Sequence, residues 1–205
     1  MRVHGVLAVG VCVVVLAGCT ADKTEPPGLT ASPTVSPTPS PTPTPTPGEV
    51  TATDLSDPEL GIVFVDTPDL TGPAASAHDA VAIFQVESWR SVTTGVVSPA
   101  LVQFASPELV RKTESLVQKN AEGGWGFDGV MKITISDVVV NGATATVSVC
   151  RDYADVMFTN TDGSAPRSYA EIEFPQFERS SMRLSTFDDG VTWRPEDGAF
   201  EGNTC

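Results

Sequence analysis

The chain has 205 residues, with 12 Lys and Arg against 26 Asp and Glu, two His, four Cys and 17 Pro, for a formal net charge of −14. That charge excludes a nucleic-acid binder, which needs a basic surface to release counterions from phosphate, and two histidines exclude a His-rich metal site or a His-centred catalytic machine. Apolar residues at 40% exclude a chain disordered throughout.

Residues 1–18 have the layout of an export signal. Arg2 supplies a short positive region, and Gly5 to Leu16 form an almost wholly apolar stretch. At about 12 residues it suits a signal peptide and is short for a membrane-spanning helix, which needs about 20. It ends in Leu16-Ala17-Gly18-Cys19, which resembles the lipobox of bacterial lipoproteins. Small residues at 17 and 18 seat a signal peptidase, and the Cys19 thiol takes a diacylglyceryl group. Cys19 then becomes the mature N-terminus, and two or more acyl chains give stable membrane attachment where one alone is marginal. The alternatives are a plain secretory signal or an uncleaved anchor.

Residues 19–50 are the next block, the acceptor Cys19 followed by a Thr/Pro-rich tether. Nine of the 17 prolines fall between Pro26 and Pro47, mostly alternating with Thr or Ser. Proline lacks an N–H and pushes the preceding residue to extended backbone, so no helix forms. Too few apolar side chains remain for a core. A disordered, semi-rigid polyproline II chain is expected, reaching on the order of 70 Å. The block lifts the rest of the chain away from a membrane. Its hydroxyls permit O-linked sugars.

Residues 51–205 are the domain, long enough to bury a core. Only Asp22, Glu25 and Glu49 among the acids, and Arg2 and Lys23 among the bases, precede residue 50, which leaves 23 acids against 10 bases, or −13, from there on. Ser76-Ala77-His78-Asp79 resembles a capping box, and Val81, Phe84, Ser88 and Val92 follow at helical spacing. A helix from about Pro73 to Val92 is expected, with His78 in its solvated first turn. Ser98-Pro99 and Ser106-Pro107 are two further helix starts. The second helix carries Leu109, Leu116 and Val117 and ends near Gly123-Gly124. Gly124-Trp125-Gly126-Phe127-Asp128-Gly129 spells G-x-G-x-x-G, but in the order helix-to-strand, the reverse of a dinucleotide site; a flexible loop is expected.

The remainder alternates as antiparallel strands. Met131, Ile133 and Ile135 share one parity. Asn141-Gly142 between Val138–Val140 and Ala143–Val147 predicts a hairpin with a type I′ turn. Asp189-Gly190 predicts a second turn and Asp162-Gly163 a third. Helices followed by antiparallel strands predict an α+β domain with the helices on one face of the sheet.

Of four cysteines, Cys12 leaves with the signal and Cys19 is lipidated. Cys150 and Cys205 remain, in a chain sent to a compartment that permits disulfides. One bridge is expected, with two free thiols as the alternative. No histidine neighbours either one to make a catalytic thiol.

The lipobox, the Thr/Pro linker, the long first helix, the strand Val147-Ser148-Val149-Cys150-Arg151-Asp152-Tyr153, the late Gly190-Val191-Thr192-Trp193-Arg194 and the terminal Cys205 together resemble the uncharacterised lipoproteins of high-GC Gram-positive bacteria. Their domain is similar to the nuclear-transport-factor-two-like, or cystatin-like, fold shared with ketosteroid isomerase-like and polyketide cyclase-like proteins. The resemblance covers about residues 74–205. It implies a cone, a curved antiparallel sheet wrapped around the helices with a pocket at the open end. Members of that fold use the pocket for catalysis, for small molecules or for protein association, so the fold does not choose among them.

Candidate pocket residues are Trp89, Trp125, Asp152 and Tyr153. Asp152 and Tyr153 are neighbours on a strand and point to opposite faces, so they form no acid–base pair without a bulge. Asp152 is expected as a strand-end hydrogen-bond acceptor. No G-x-S-x-G, S-x-x-K or H-E-x-x-H motif occurs, and Asn160–Gly163 fails as a calcium loop because Phe158 and Tyr169 fall on the outer ligand positions. No cofactor and no metal is expected. The expectation is a lipid-anchored protein on the extracytoplasmic face of the cell membrane, binding an envelope protein or a small apolar ligand. The alternatives are a pocket enzyme using an Asp or Tyr, and a structural envelope component.

Overall fold

The computed structural model describes residues 50–205; the signal peptide, Cys19 and all but the last residue of the tether lie outside them. The order of elements is β1 (Ile62–Phe64), α1 (Gly72–Thr94), α2 (Pro99–Phe104), α3 (Pro107–Gly123), β2 (Trp125–Asn141), β3 (Thr144–Asn160), β4 (Arg167–Ser168), β5 (Phe177–Thr186) and β6 (Trp193–Gly202). The strands form one six-stranded sheet in the order β1-β2-β3-β5-β6, with β4 beside the far half of β3. The class is α+β, as expected from helices preceding strands. The sheet is mixed, however, because β1 runs parallel to β2, with Ile62 opposite Met131. A three-residue strand is too short for alternation to reveal it.

α1 begins within one residue of the expected Pro73, a turn before the Ser76 capping-box signal. Thr71 is its N-cap, and Pro73 sits in the first turn, where its missing N–H costs nothing. Ser76 and His78 therefore lie inside the helix. His78 is 1% exposed, with its Nδ1 2.9 Å from Asp79 Oδ1, so it is a core residue and not a solvated one. Asp79 also accepts the backbone N–H of Thr53 at 2.9 Å, which fastens the segment before β1 to the helix. α2 and α3 start at Ser98 and Ser106, each followed by Pro, as their sequence predicts. Ser106 Oγ accepts the Leu109 N–H at 3.2 Å and donates to the Glu196 carbonyl at 2.6 Å, so one side chain caps α3 and docks it on β6. Gly124 ends α3 in the left-handed conformation at φ 67°.

The G-x-G-x-x-G run is strand from Trp125 onward, not loop. It opens β2 and pairs with β3 from Trp125 opposite Asn160 onward. Gly126 and Gly129 are there because the backbones touch. A Cβ on Gly126 would lie 2.6 Å from the Asn160 carbonyl oxygen, and one on Gly129, at φ +85°, would run into the Asp155 carbonyl.

Two β-bulges interrupt the β2–β3 ladder. Between the pairs Val130–Asp155 and Lys132–Asp152, two β3 residues, Tyr153 and Ala154, face the single residue Met131. Between Ser136–Ser148 and Val139–Thr146, Asp137 and Val138 face Val147, with Asp137 at φ 49°. Each bulge reverses which parity faces inward. On β3, Ala145, Val147 and Val149 are buried before the bulge, and Val156 and Phe158 after it. The inner face packs against Val81, Phe84 and Trp89 of α1 and Leu109 of α3 in one core.

The Asn141-Gly142 hairpin forms, with a different turn. Asn141 pairs with Thr144, so the central residues are Gly142 and Ala143, and only Gly142, at φ 59°, has positive φ. That is the pattern of a type II′ turn, in which glycine takes the first central position. Asp189 and Gly190 both take positive φ, 56° and 85°, within the longer β5–β6 connection. Asp188 holds that connection by accepting the Thr192 N–H at 2.7 Å and the Thr186 hydroxyl at 2.8 Å.

Candidate functional site

Between α1, α3 and the inner face of β2 and β3 lies a cavity of about 500 Å³, within the size range of small-molecule sites. Its walls follow from the pattern of each element. Phe84, Trp89 and Val92 face it from α1, Leu109 and Leu116 from α3, and Trp125, Phe127 and Met131 from β2. The aromatic rings touch edge to face around it. Trp89 meets Phe127 at 5.4 Å, Phe127 meets Phe158 at 5.6 Å, and Tyr153 meets Phe174 at 5.1 Å between centroids. Arg167 lies over Trp125 at 4.7 Å. Leu116, 47% exposed, stands at the rim.

One wall is polar. Arg151 occupies an inward position of β3, two residues beyond Val149 and two before Tyr153. Its Nε donates to Gln85 Oε1 at 3.0 Å, and its Nη1 donates to Glu178 Oε1 at 3.0 Å and to Ser180 Oγ at 3.3 Å. The side chains of Arg151 and Glu178 are 17% and 29% exposed, so the pair is largely shielded from water. The Tyr153 hydroxyl donates to the other carboxylate oxygen of Glu178 at 3.1 Å. Burial pushes the Tyr153 phenol well above its ordinary value; Arg151 opposes this and Glu178 adds to it, so the hydroxyl stays protonated at neutral pH. Gln85 completes the wall by donating to Met182 Sδ at 3.3 Å. Two more polar atoms on cavity-lining residues, Ser88 Oγ on α1 and Asn120 Nδ2 on α3, are buried without any hydrogen-bond partner. Such orphans are uncommon and normally have a reason. At the rim, Lys112 donates to Asp197 at 2.6 Å, which raises its pKa.

Trp89, Trp125 and Tyr153 thus converge on one cavity. Asp152 does not join them: it faces the opposite side of the sheet and accepts the Ala154 N–H at 2.9 Å and Gln176 Nε2 at 3.2 Å. The residues that sequence reasoning did not single out are Arg151, Glu178, Gln85, Ser88 and Asn120. Arg151 had a signal, a charge on the inward parity of an otherwise apolar strand face. Glu178 had none, because its partner lies across the sheet on β3.

Cys150 lies on the outer face of β3 and bonds to Cys205, with their Cα atoms 5.8 Å apart and a sequence separation of 55. β5 separates β3 from β6 in the sheet, so the bridge ties the chain end across a whole strand. Among the described residues no helix is long and apolar enough to cross a membrane, and no three His, Cys, Asp or Glu side chains converge to hold a metal.

No protein-family model matches the chain, and no curated protein does. Among solved structures it is similar to the intermembrane space region of the chloroplast protein ARC6, at 12% identity and a TM-score of 0.43, over 62% of this chain and 95% of that one. A likeness at that level carries no function to this chain.

Proposed function

We propose that the protein is a lipid-anchored lipoprotein on the extracytoplasmic face of the membrane, and that its domain binds a small, largely apolar ligand in the cavity between α1, α3 and the sheet. One observation carries the binding: an aromatic-walled space of about 500 Å³ with a few polar groups gathered on it, which is the usual composition of a small-molecule site. The domain is read as a nuclear-transport-factor-two-like cone. Two bulges, each of which bends its strand, support that reading, as does a cavity between the helices and the sheet. Among the described residues Glu178 is the one acid lining the cavity, and both its oxygens are engaged by Arg151 and Tyr153. A carboxylate so held supports binding over proton-transfer chemistry.

The anchoring rests on Leu16-Ala17-Gly18-Cys19 and the tether behind it. Radiolabelled palmitate is expected to enter the wild-type chain in a lipoprotein-processing bacterium and to be absent from Cys19→Ala; equal labelling of the two removes the anchor.

The cavity is tested with the full chain in lipid vesicles. A bromine-tagged ten-carbon alkane quenches tryptophan fluorescence when it enters, and Trp89 and Trp125 line the walls. After correction for partitioning into protein-free vesicles, saturable quenching is expected in the wild type. In Leu116→Trp, which fills the mouth from an exposed position, binding is expected to weaken about tenfold. Quenching that does not saturate, or that is the same in both proteins, overturns the reading.

A further inference from the structure

We infer that the ligand carries an uncharged hydrogen-bond acceptor, a ketone, ester or amide carbonyl, which docks on Arg151 Nη2. This inference rests on the cavity being a ligand site. A guanidinium has five N–H donors in a fixed fork. Arg151 spends Nε on Gln85 and Nη1 on Glu178 and Ser180. Among the described residues Nη2 has no protein partner, and it is not one of the buried atoms sealed from solvent. Arg151 lines the cavity, so this nitrogen presents its donors to whatever enters.

The sign of the occupant follows from Glu178. That carboxylate already balances the guanidinium 3.0 Å away, and its second oxygen is taken by the Tyr153 hydroxyl. The polar wall is therefore close to neutral in sum. A ligand carboxylate would gain Arg151 and meet Glu178 beside it, in a setting where like charges are costly. A ligand ammonium would find both carboxylate oxygens occupied and a cation facing it. A carbonyl oxygen accepts from Nη2 without adding charge. Lys112 does not alter this balance, because it is held at the rim by Asp197 and Glu108.

The test extends the vesicle assay to three bromine-tagged ten-carbon probes, an alkane, a methyl ketone and a carboxylate. The wild-type chain is expected to bind the ketone roughly tenfold more tightly than the alkane, the yield of one hydrogen bond to a charged donor, and the carboxylate more weakly than the ketone. Arg151→Met with Glu178→Gln removes both charges together, which spares the fold the cost of an unpaired one. It is expected to lose the preference for the ketone, the ratio of ketone to alkane affinity falling from about ten to about one. Glu178→Gln alone exposes the cation and is expected to reverse the order, binding the carboxylate about tenfold more tightly than the wild type does. A wild type that prefers the carboxylate, or a ketone preference that survives the double substitution, overturns the inference while leaving the cavity a binding site. Failure of all three probes to bind overturns the cavity reading and the inference with it.

Discussion

Gly129→Ala is expected to destabilise the protein by about 4 kcal/mol, a large share of the 5–15 kcal/mol that holds a typical domain folded. Two costs add. At φ +85° an L-residue is strained by about 1–3 kcal/mol. The new methyl also meets the Asp155 carbonyl, a backbone atom paired into the β2–β3 ladder one residue away, at Val130. A flexible side chain could move aside; this atom moves only if the bulge at Tyr153 and Ala154 opens. Gly142→Ala isolates the first cost, because Gly142 also has positive φ, at 59°, and a Cβ there meets nothing within 4 Å. It is expected to cost about 1 kcal/mol. Urea unfolding of both variants measures the difference. If the two lose the same stability, the close approach at Gly129 contributes nothing.

Cys205→Ser is expected to cost about 3 kcal/mol, and reduction of the wild type with a thiol is expected to cost the same. The bridge closes a 55-residue separation, and a cross-link of that length removes much chain entropy from the unfolded state. It also pins the end of β6, an edge of the sheet, where local opening begins most easily. For a domain of this size the melting temperature should fall by roughly 10 °C. Cys150→Ser with Cys205→Ser should match the single variant, because either change breaks the same bond. A melting temperature that ignores both reductant and substitution means the bridge adds no stability.

Local chemistry explains which parts of the fold are legible in the chain. The starts of α2 and α3 follow from Ser-Pro pairs, since proline sets the backbone of the first helical residue and has no N–H there to leave unpaired; at α3 the Ser106 hydroxyl also caps the turn. The long strands follow from alternation at Met131, Ile133 and Ile135 and at Ala145, Val147 and Val149, because burying one face of a sheet imposes period two. The turns at Asn141-Gly142 and Asp189-Gly190 follow because glycine is the residue that tolerates positive φ. Where local pattern misleads, a distant partner decides. His78 has the pattern of a solvated residue beside a cap and is buried, because α1 begins at Gly72 and that position lies on its inward side. The glycine run has the composition of a loop and is strand, because β3 lies close enough to require residues without a Cβ.

The candidate site divides in the same way. Three of its aromatic members, Trp89, Trp125 and Tyr153, are legible as large side chains bound for the interior. Asp152, a candidate beside them, faces the other side, because adjacent strand residues alternate. The chain by itself determined the net negative charge, the Thr/Pro block and the α+β order, since each depends on composition or on residues close in sequence. Only the tertiary structure decided the parallel edge strand, the bulges, the cavity and its polar wall. Gln85 and Glu178 lie 66 and 27 residues from Arg151 in sequence, and no local pattern links them. They meet because β3 and β5 pair and α1 crosses their inner face.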